Sequence, residues 1–279
     1  MYFGAHVSIA GGLVNAPLNA AKIGCEVFQI FTRSPQGGWT PELNAKIATD
    51  FKAACKTAKQ KEWYVHTPYF INFASSNPRI KHASISIVRQ ELERASMLGA
   101  KFLMTHLGSY ASLGKEKGFV QLIAALDATL KGYKGKTKFL IEISAGAGDI
   151  IGGTFEDMAK IVLHPTLKKY DIGVCFDTQH AFASGYDIRD KSLVDKTLAH
   201  FDKTIGLKRL KMSHCNDSKT EFNSHSDHHA HIGKGKIGND GFAALISDKR
   251  LAKINFILET KPDMVEDDLV LLKKLRDNK

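Results

Sequence analysis

Residues 172 to 178 read IGVCFDT and residues 179 and 180 add Gln-His. A short apolar, β-branched run thus ends on a carboxylate, Asp177, with an imidazole, His180, three positions on. The same design recurs on both sides. Towards the N-terminus lie KFLIEIS (138 to 144), FLMTHLG (102 to 108), WYVHTPY (63 to 69), CEVFQIFT (25 to 32) and YFGAHV (2 to 7). Towards the C-terminus lie LKRLKMSH (207 to 214) and INFILET (254 to 260). Segments 41 to 60, 78 to 98, 117 to 133 and 189 to 205 separate them, with apolar residues at intervals of three and four, as amphipathic helices require. Strand-like runs alternating with helical ones are the signature of βα units and a parallel sheet. Gly24, Gly99, Gly173 and Gly206 stand where helices end or strands begin, the expected place for residues that tolerate a left-handed backbone. Eight such units without a Pro/Gly/Ser linker predict an α/β fold, a single-domain (β/α)₈ TIM barrel over residues 1–279. From pattern alone a doubly wound sheet is the alternative.

Composition agrees with a folded chain that buries a sizeable core: 43% of residues are apolar and 24% charged. No basic-then-apolar leader and no apolar run of membrane-spanning length stands out, so the expectation is no membrane and a cytoplasmic location, nucleoid-associated if the source is prokaryotic. Cys25, Cys55, Cys175 and Cys215 lie far apart without a C-x-x-C pair, which suits a reducing compartment and packing roles. The net charge of +10 suits a polyanionic partner, although ordinary solubility also uses such charge. No Walker or G-x-G-x-x-G loop follows a strand, so no nucleotide cofactor is expected.

In a barrel of this kind the chemistry sits at the C-terminal strand ends. Those ends carry His6, His66, His106, Glu142, Asp177 with His180, His214 and Glu259, and the second strand alone adds nothing. The loop 216 to 235 adds Asp227, His228, His229 and His231. Imidazole and carboxylate suit zinc and similar divalent ions at three to four ligands each. The surplus here points to a multinuclear cluster in which Glu142 or Glu259 bridges ions. A single histidine read alone is a core or surface residue; so many carboxylates and imidazoles buried together without cations would be very costly. His82, His164 and His200 read as surface residues in helices or helix ends. His225, His228 and His231 are open between phosphate contacts, supports for the ligands and solvent-exposed loop residues. His6 stands behind the ligands rather than among them.

The segments GAHVSIAGG (4 to 12), FDTQHAFASGYD (176 to 187), HCNDSK (214 to 219) and DHHAHIGKG (227 to 235) resemble the endonuclease IV family of apurinic/apyrimidinic endonucleases, over residues 2 to about 262. The resemblance implies a TIM barrel with three Zn²⁺ ions, Mn²⁺ being possible at one position. It implies His66, His106 and Glu142 on one ion, Glu142, Asp177, His214 and Glu259 on a second, and His180, Asp227 and His229 on the third. Glu142 as bridge and Glu259 as the group orienting the nucleophile would be catalytic. The implied activity is hydrolysis 5′ to abasic sites in double-stranded DNA during base excision repair, with trimming of blocked 3′ ends; a monomer is expected, although no motif addresses oligomeric state.

Family members wedge side chains into the DNA stack from the loops after the second and third strands, here 32 to 39 and 68 to 72. Tyr69 and Phe70 match. The first loop, Arg33-Ser-Pro-Gln-Gly-Gly-Trp39, lacks the bulky residue usual before the tryptophan and leaves Gln36 to fill the gap. His228 stands where arginine is usual, so a phosphate contact there would depend on protonation. Three other readings exist: a metal-dependent sugar isomerase or epimerase on the same barrel, a non-catalytic nucleic-acid binder with a structural metal, and a damage endonuclease with another lesion preference. The smaller ligand set of isomerases and the thiolates usual in structural zinc sites count against the first two.

Overall fold

The computed structural model describes residues 1–38, 40–111 and 113–278. Its barrel strands are β1 (Phe3–His6), β2 (Val27–Ile30), β3 (Trp63–His66), β4 (Phe102–Thr105), β5 (Lys138–Glu142), β6 (Gly173–Asp177), β7 (Leu210–His214) and β10 (Phe256–Leu258); β8 (Asp217–Ser218) and β9 (His229–Ala230) form a small hairpin above β7. Among the described residues the eight barrel strands close in the order β1-β10-β7-β6-β5-β4-β3-β2, all parallel. The helices α1 (Ala16–Lys22), α2 (Ala45–Thr57), α3 (Pro78–Leu98), α4 (Lys115–Leu130), α5 (Phe155–Val162), α7 (Lys191–Thr204), α8 (Gly238–Ser247) and α9 (Val265–Asp277) cover the barrel, and α6 (Thr178–Ala183) is a short turn on its rim.

Helix ends follow local chemistry. Asn77 caps α3 by accepting the Arg79 N–H at 2.9 Å, Pro78 fills the first position, and Gly99 ends the helix with φ +75°. The second helix starts at Ala45 rather than at 41, because the Asn44 side chain accepts the Ile47 N–H and makes the preceding residues a lead-in. Asp190 likewise caps α7 through Leu193, moving its start past 189. Gly173 departs from the left-handed reading: it is absent from the positive-φ glycines and is needed for space, since a Cβ there would lie 2.6 Å from a Leu140 methyl.

Two apolar layers hold the fold. One lies between strands and helices and includes Phe28, Phe51, Phe155, Phe201 and Phe242. The other fills the barrel itself: Val27, Tyr64, Phe102, Met104, Leu140, Cys175, Met212 and Ile257. Cys25, Cys55, Cys175 and Cys215 are buried and unbridged, and burial raises their thiol pKa values, so they act as packing groups.

Candidate metal centre and active site

Side chains alternate across a strand, so the residue two positions beyond an inward apolar side chain also points inward. Each barrel strand repeats this step. Tyr64 precedes His66, Met104 His106, Leu140 Glu142, Cys175 Asp177, Met212 His214 and Ile257 Glu259. On β1 the lower position is Gly4, whose missing Cβ lets the β2 backbone close in, and the upper one is His6. The second strand obeys the rule as well: Val27 precedes Gln29. The polar rim is thus the top of the barrel interior, and Gln29 is the member that the sequence reading missed, because its run continues apolar to Phe31.

The loop after β7 completes the ring. Buried Asp217 accepts the backbone N–H groups of Ser218, Gly233, Gly235, Ile237 and Gly238 at 2.7–3.3 Å, which gathers residues 217 to 238 around one carboxylate. The β8–β9 hairpin then aims His229 back over the barrel mouth. Asp227 reaches between two histidines, 3.3 Å from His180 Nε2 and 3.2 Å from His229 Nε2.

Beside a set in which the Cys175 thiol lies with Glu142 and His214, donor atoms of imidazole and carboxylate converge in three groups, each within 4.8 Å: His66, His106 and Glu142; Glu142, Asp177, His214 and Glu259; and Asp177, His180 and His229. Glu142 is shared by the first two, with Oε2 3.1 Å from His66 and 3.7 Å from His106, and Oε1 2.8 Å from His214 Nδ1. Asp177 is shared by the last two. The sequence reading gave Asp227 to the third group, where it contacts both histidines from above.

The hydrogen bonds on the far side of the rings test the fit to metal. A carbonyl oxygen only accepts, so a ring nitrogen facing one must carry the hydrogen. His66 gives its Nδ1–H to the Thr67 carbonyl at 2.6 Å, His180 its Nδ1–H to the Ile143 carbonyl at 2.9 Å, and His214 its Nε2–H to Gln29 Oε1 at 2.8 Å. Each of these rings therefore aims its second nitrogen at a carboxylate. A lone pair facing a carboxylate needs a cation between them, either a proton or a metal ion. His229 Nε2 is buried facing Asp227 Oδ1 at 3.2 Å and Asp177 Oδ2 at 4.0 Å without hydrogen-bond geometry to either, an arrangement that fits an imidazole and carboxylates sharing one ion. The donor set is imidazole and carboxylate, with the Cys175 thiol beside Glu142 and His214 kept protonated because burial pushes it up to about 11, and it suits zinc or manganese.

Electrostatics carry the same message. Burial alone would raise Glu142, yet His214 and His106 hold it well below the ordinary carboxylate value. Burial would lower His180 and His214, but Asp177, Asp227 and Glu142 raise the first, and Cys175, Glu142 and Glu259 the second. Asp227 is lowered by His180 and His229 against its burial, and His229 is raised chiefly by Asp227 against its own. Without another cation the carboxylates draw protons onto His180, His214 and His229, whereas burial lowers His106; divalent ions would displace those protons. Burial pushes His6 down to about 3, a neutral ring tilted 45° against Phe31 with centroids 4.2 Å apart and accepting from Gln29.

Gln29 and Asn216 complete the support. The Gln29 amide donates to Glu259 Oε1 at 2.7 Å while its oxygen holds His214. Asn216 donates to Asp177 Oδ2 at 2.7 Å and accepts the Glu259 N–H at 2.8 Å. Gln29 lies in no motif, and only the strand period could have found it; Asn216 lies in HCNDSK, where His214 was the residue singled out.

A cavity of about 610 Å³ opens above the rim, with Tyr69, Phe70 and Asn72 on one wall, Ala145 and Ile150 on another, and His180, Asp227 and Glu259 among its floor residues. Tyr69 is 63% and Phe70 39% exposed. The Tyr69 N–H donates to the Pro35 carbonyl at 3.2 Å, joining the two loops. Gln36 and His228 are exposed, outside the cavity lining. Gly37 and Gly38 have φ +96° and +88°, a turn that glycine takes without strain. Trp39 lies outside the described residues. His231 is held between Asp268 (2.7 Å) and Asp263 (3.2 Å), away from the metal groups.

A parallel barrel with this rim defines a metal-dependent enzyme of the xylose isomerase-like TIM-barrel class, and the family profile of that description matches residues 17–275. "Probable endonuclease 4" of Chloroflexus aggregans is 37% identical over 279 residues, covering 98% of this chain and 97% of its own. The protein of the same name from Geotalea daltonii is 40% identical over 288 residues, covering 99% and 97%. The crystal structure of endonuclease IV from Thermus thermophilus superposes with a TM-score of 0.88 at 29% identity over all of both chains. The chain belongs to the endonuclease IV family. A D-tagatose 3-epimerase-like protein superposes at 0.70 with 20% identity, which shows a shared fold alone.

Proposed function

We propose that this protein is a DNA-repair endonuclease that hydrolyses the phosphodiester 5′ to abasic sites, leaving a 3′-hydroxyl, and that Zn²⁺ occupies the three donor groups, with Mn²⁺ able to replace it at one. The observation that carries the reading is the set of histidines whose N–H groups are tied back to carbonyl oxygens so that their free nitrogens converge on shared carboxylates. Bound ions supply a water acidified from a pKa of about 15.7 towards about 7, and neutralise charge on the phosphoryl and leaving oxygens.

The protein's own groups do the rest. Glu142 and Asp177 hold adjacent groups together by sharing their oxygens. Glu259, fixed by Gln29 and by its own N–H on Asn216, orients the attacking water. Tyr69 and Phe70 fill the stack left by an extruded abasic sugar, with Gln36 reaching from the neighbouring loop and His228 set to meet a phosphate. The cavity walls favour a sugar without its base, and such a nucleotide is the least costly to flip. Trimming of blocked 3′ ends needs the same phosphate position. The enzyme works as a monomer on double-stranded DNA in the cytoplasm.

The test is incision of a duplex carrying one tetrahydrofuran abasic analogue, which cannot undergo β-elimination. A single cut 5′ to the lesion, lost on chelation and in Glu142→Gln, is expected. A folded, metal-replete sample that makes no cut would overturn the proposal and favour sugar isomerisation.

A further inference from the structure

The net charge of this chain does not lie where its chemistry lies. The eight connections that lead from a barrel strand to the next barrel helix, on the catalytic rim, carry six Lys and Arg against nine Asp and Glu. The seven connections that lead from a helix back to a strand, at the opposite end, carry thirteen Lys and Arg against four Asp and Glu. Five lysines, Lys101, Lys136, Lys138, Lys211 and Lys253, line one open cavity of about 570 Å³ at that end, and no carboxylate lines it with them.

Helix dipoles do not account for this cavity. Cations stabilise a helix C-terminus within its last turn, yet the last turns of α3, α4 and α8, the helices nearest Lys101, Lys136 and Lys253, hold no basic residue. Lys138 and Lys211 lie in strands. Lys101 pairs with Glu62 and Lys138 with Asp171, exposed contacts of little worth. Lys136, Lys211 and Lys253 have no carboxylate partner within 4 Å among the described residues; the Lys211 ammonium rests on the Lys208 carbonyl. Nor do these charges serve a duplex on the catalytic rim. Lys138 begins the strand that Glu142 ends, four steps or about 13 Å away, already beyond the screening length of about 8 Å at physiological salt.

We infer that the N-terminal end of the barrel is a second nucleic-acid-binding surface, which holds the phosphate backbone of a separate duplex segment while the opposite rim works on the lesion. The choice of DNA as the polyanion rests on the proposed function. Lysines suit the role: compact charges on flexible stems follow a backbone without reading bases. The surface keeps the enzyme on DNA between encounters.

The test measures binding of undamaged duplex across a salt series, so it reads out whether or not the protein cuts abasic DNA. Three holoenzymes are compared: wild type, a variant with Lys136→Glu, Lys211→Glu and Lys253→Glu, and a control of equal charge change on outer helix faces, Lys46→Glu, Lys117→Glu and Lys196→Glu. The first variant should bind about tenfold more weakly near 0.1 M salt, with a salt slope shallower by up to about 3, since each phosphate contact contributes about 0.9. The control should change far less, and the duplex should shield Lys136, Lys211 and Lys253 from acetylation. Single-turnover incision with enzyme in excess should stay within about twofold of wild type. Should the glutamates unfold the chain, a glutamine set gives the same comparison with a smaller slope change. Equal losses in both variants, no loss in the first, or binding of these lysines to anionic vesicles but not to duplex would overturn the inference.

Discussion

At the catalytic rim acidic residues outnumber basic ones in the connecting loops, and the buried carboxylates Glu142 and Asp177 add to them; at the other end basic residues outnumber acidic ones by thirteen to four. The same strands supply both ends. A chain's net charge and its chemistry therefore need not share a surface. The rim is built to bind cations, and once ions occupy it the local field reverses and admits a phosphate. The far end is already cationic and needs no ion. Whole-chain charge, which suits a polyanionic partner without saying where it binds, is concentrated at the opposite end of the barrel.

The largest effect is expected at the rim. Glu259→Gln keeps the shape and the Gln29 contact but removes the charge that orients the water in the proposed reaction, and kcat should fall by about 10²- to 10³-fold. Duplex affinity at the far end should not change. Incision rate and undamaged-duplex binding, measured on one sample, would separate the two ends; a parallel loss in both would erase the distinction. Next in size is Asn216→Ala, which frees Asp177 Oδ2 and the Glu259 N–H. Loss of such a supporting partner should weaken metal retention and activity by about 10- to 100-fold, visible as faster zinc loss to a chelator.

Metal removal sets the rim apart through pH. In stripped protein His180 and His214 lie well above the ordinary 6.5, so the stability they contribute is complete below about 6.5 and is lost as pH rises through their folded values. Glu142 lies well below 4.5, so its contribution is complete above about 4.5 and is lost as pH falls through its folded value. His6 and His106, held low by burial, favour the unfolded chain as pH falls below about 6.5, so thermal melts of stripped protein should peak near pH 6.5 and decline above it as His180 and His214 lose their protons. Metal-loaded protein should hold its stability there, and zinc uptake at neutral pH should release protons. A stripped protein as stable at pH 8 as at pH 6 would contradict this assignment. The smallest change should come from Gln29→Leu. It should raise the rate of zinc loss by about tenfold, with Gln29→Asn recovering only a part.

Much of this was legible in the residues. Eight apolar runs separated by helical periods gave the barrel, because burial on both faces forces each strand to be short and apolar. The polar rim residues were legible for the same reason: a carboxylate or imidazole ending such a run has no apolar explanation. Gln29 was not, since an amide inside CEVFQIFT looks like one polar residue in a strand until the period-2 register aligns it with Glu142 and Asp177. Asn216 and Asp217 were hidden in a motif whose histidine drew the attention, and their roles are contacts with distant backbone that no local pattern encodes. Nor could the sequence show that its lysines gather at one end, because that follows only when seven separate connections are brought to one face.

Whether the rim is a three-ion centre is decided by an anomalous difference map from crystals of the native protein, recorded above and below the zinc edge. Three peaks are predicted: one among His66, His106 and Glu142, one among Glu142, Asp177, His214 and Glu259, and one beside His180, Asp227 and His229. A single peak, or none in metal-replete crystals, would contradict a three-ion phosphodiesterase centre.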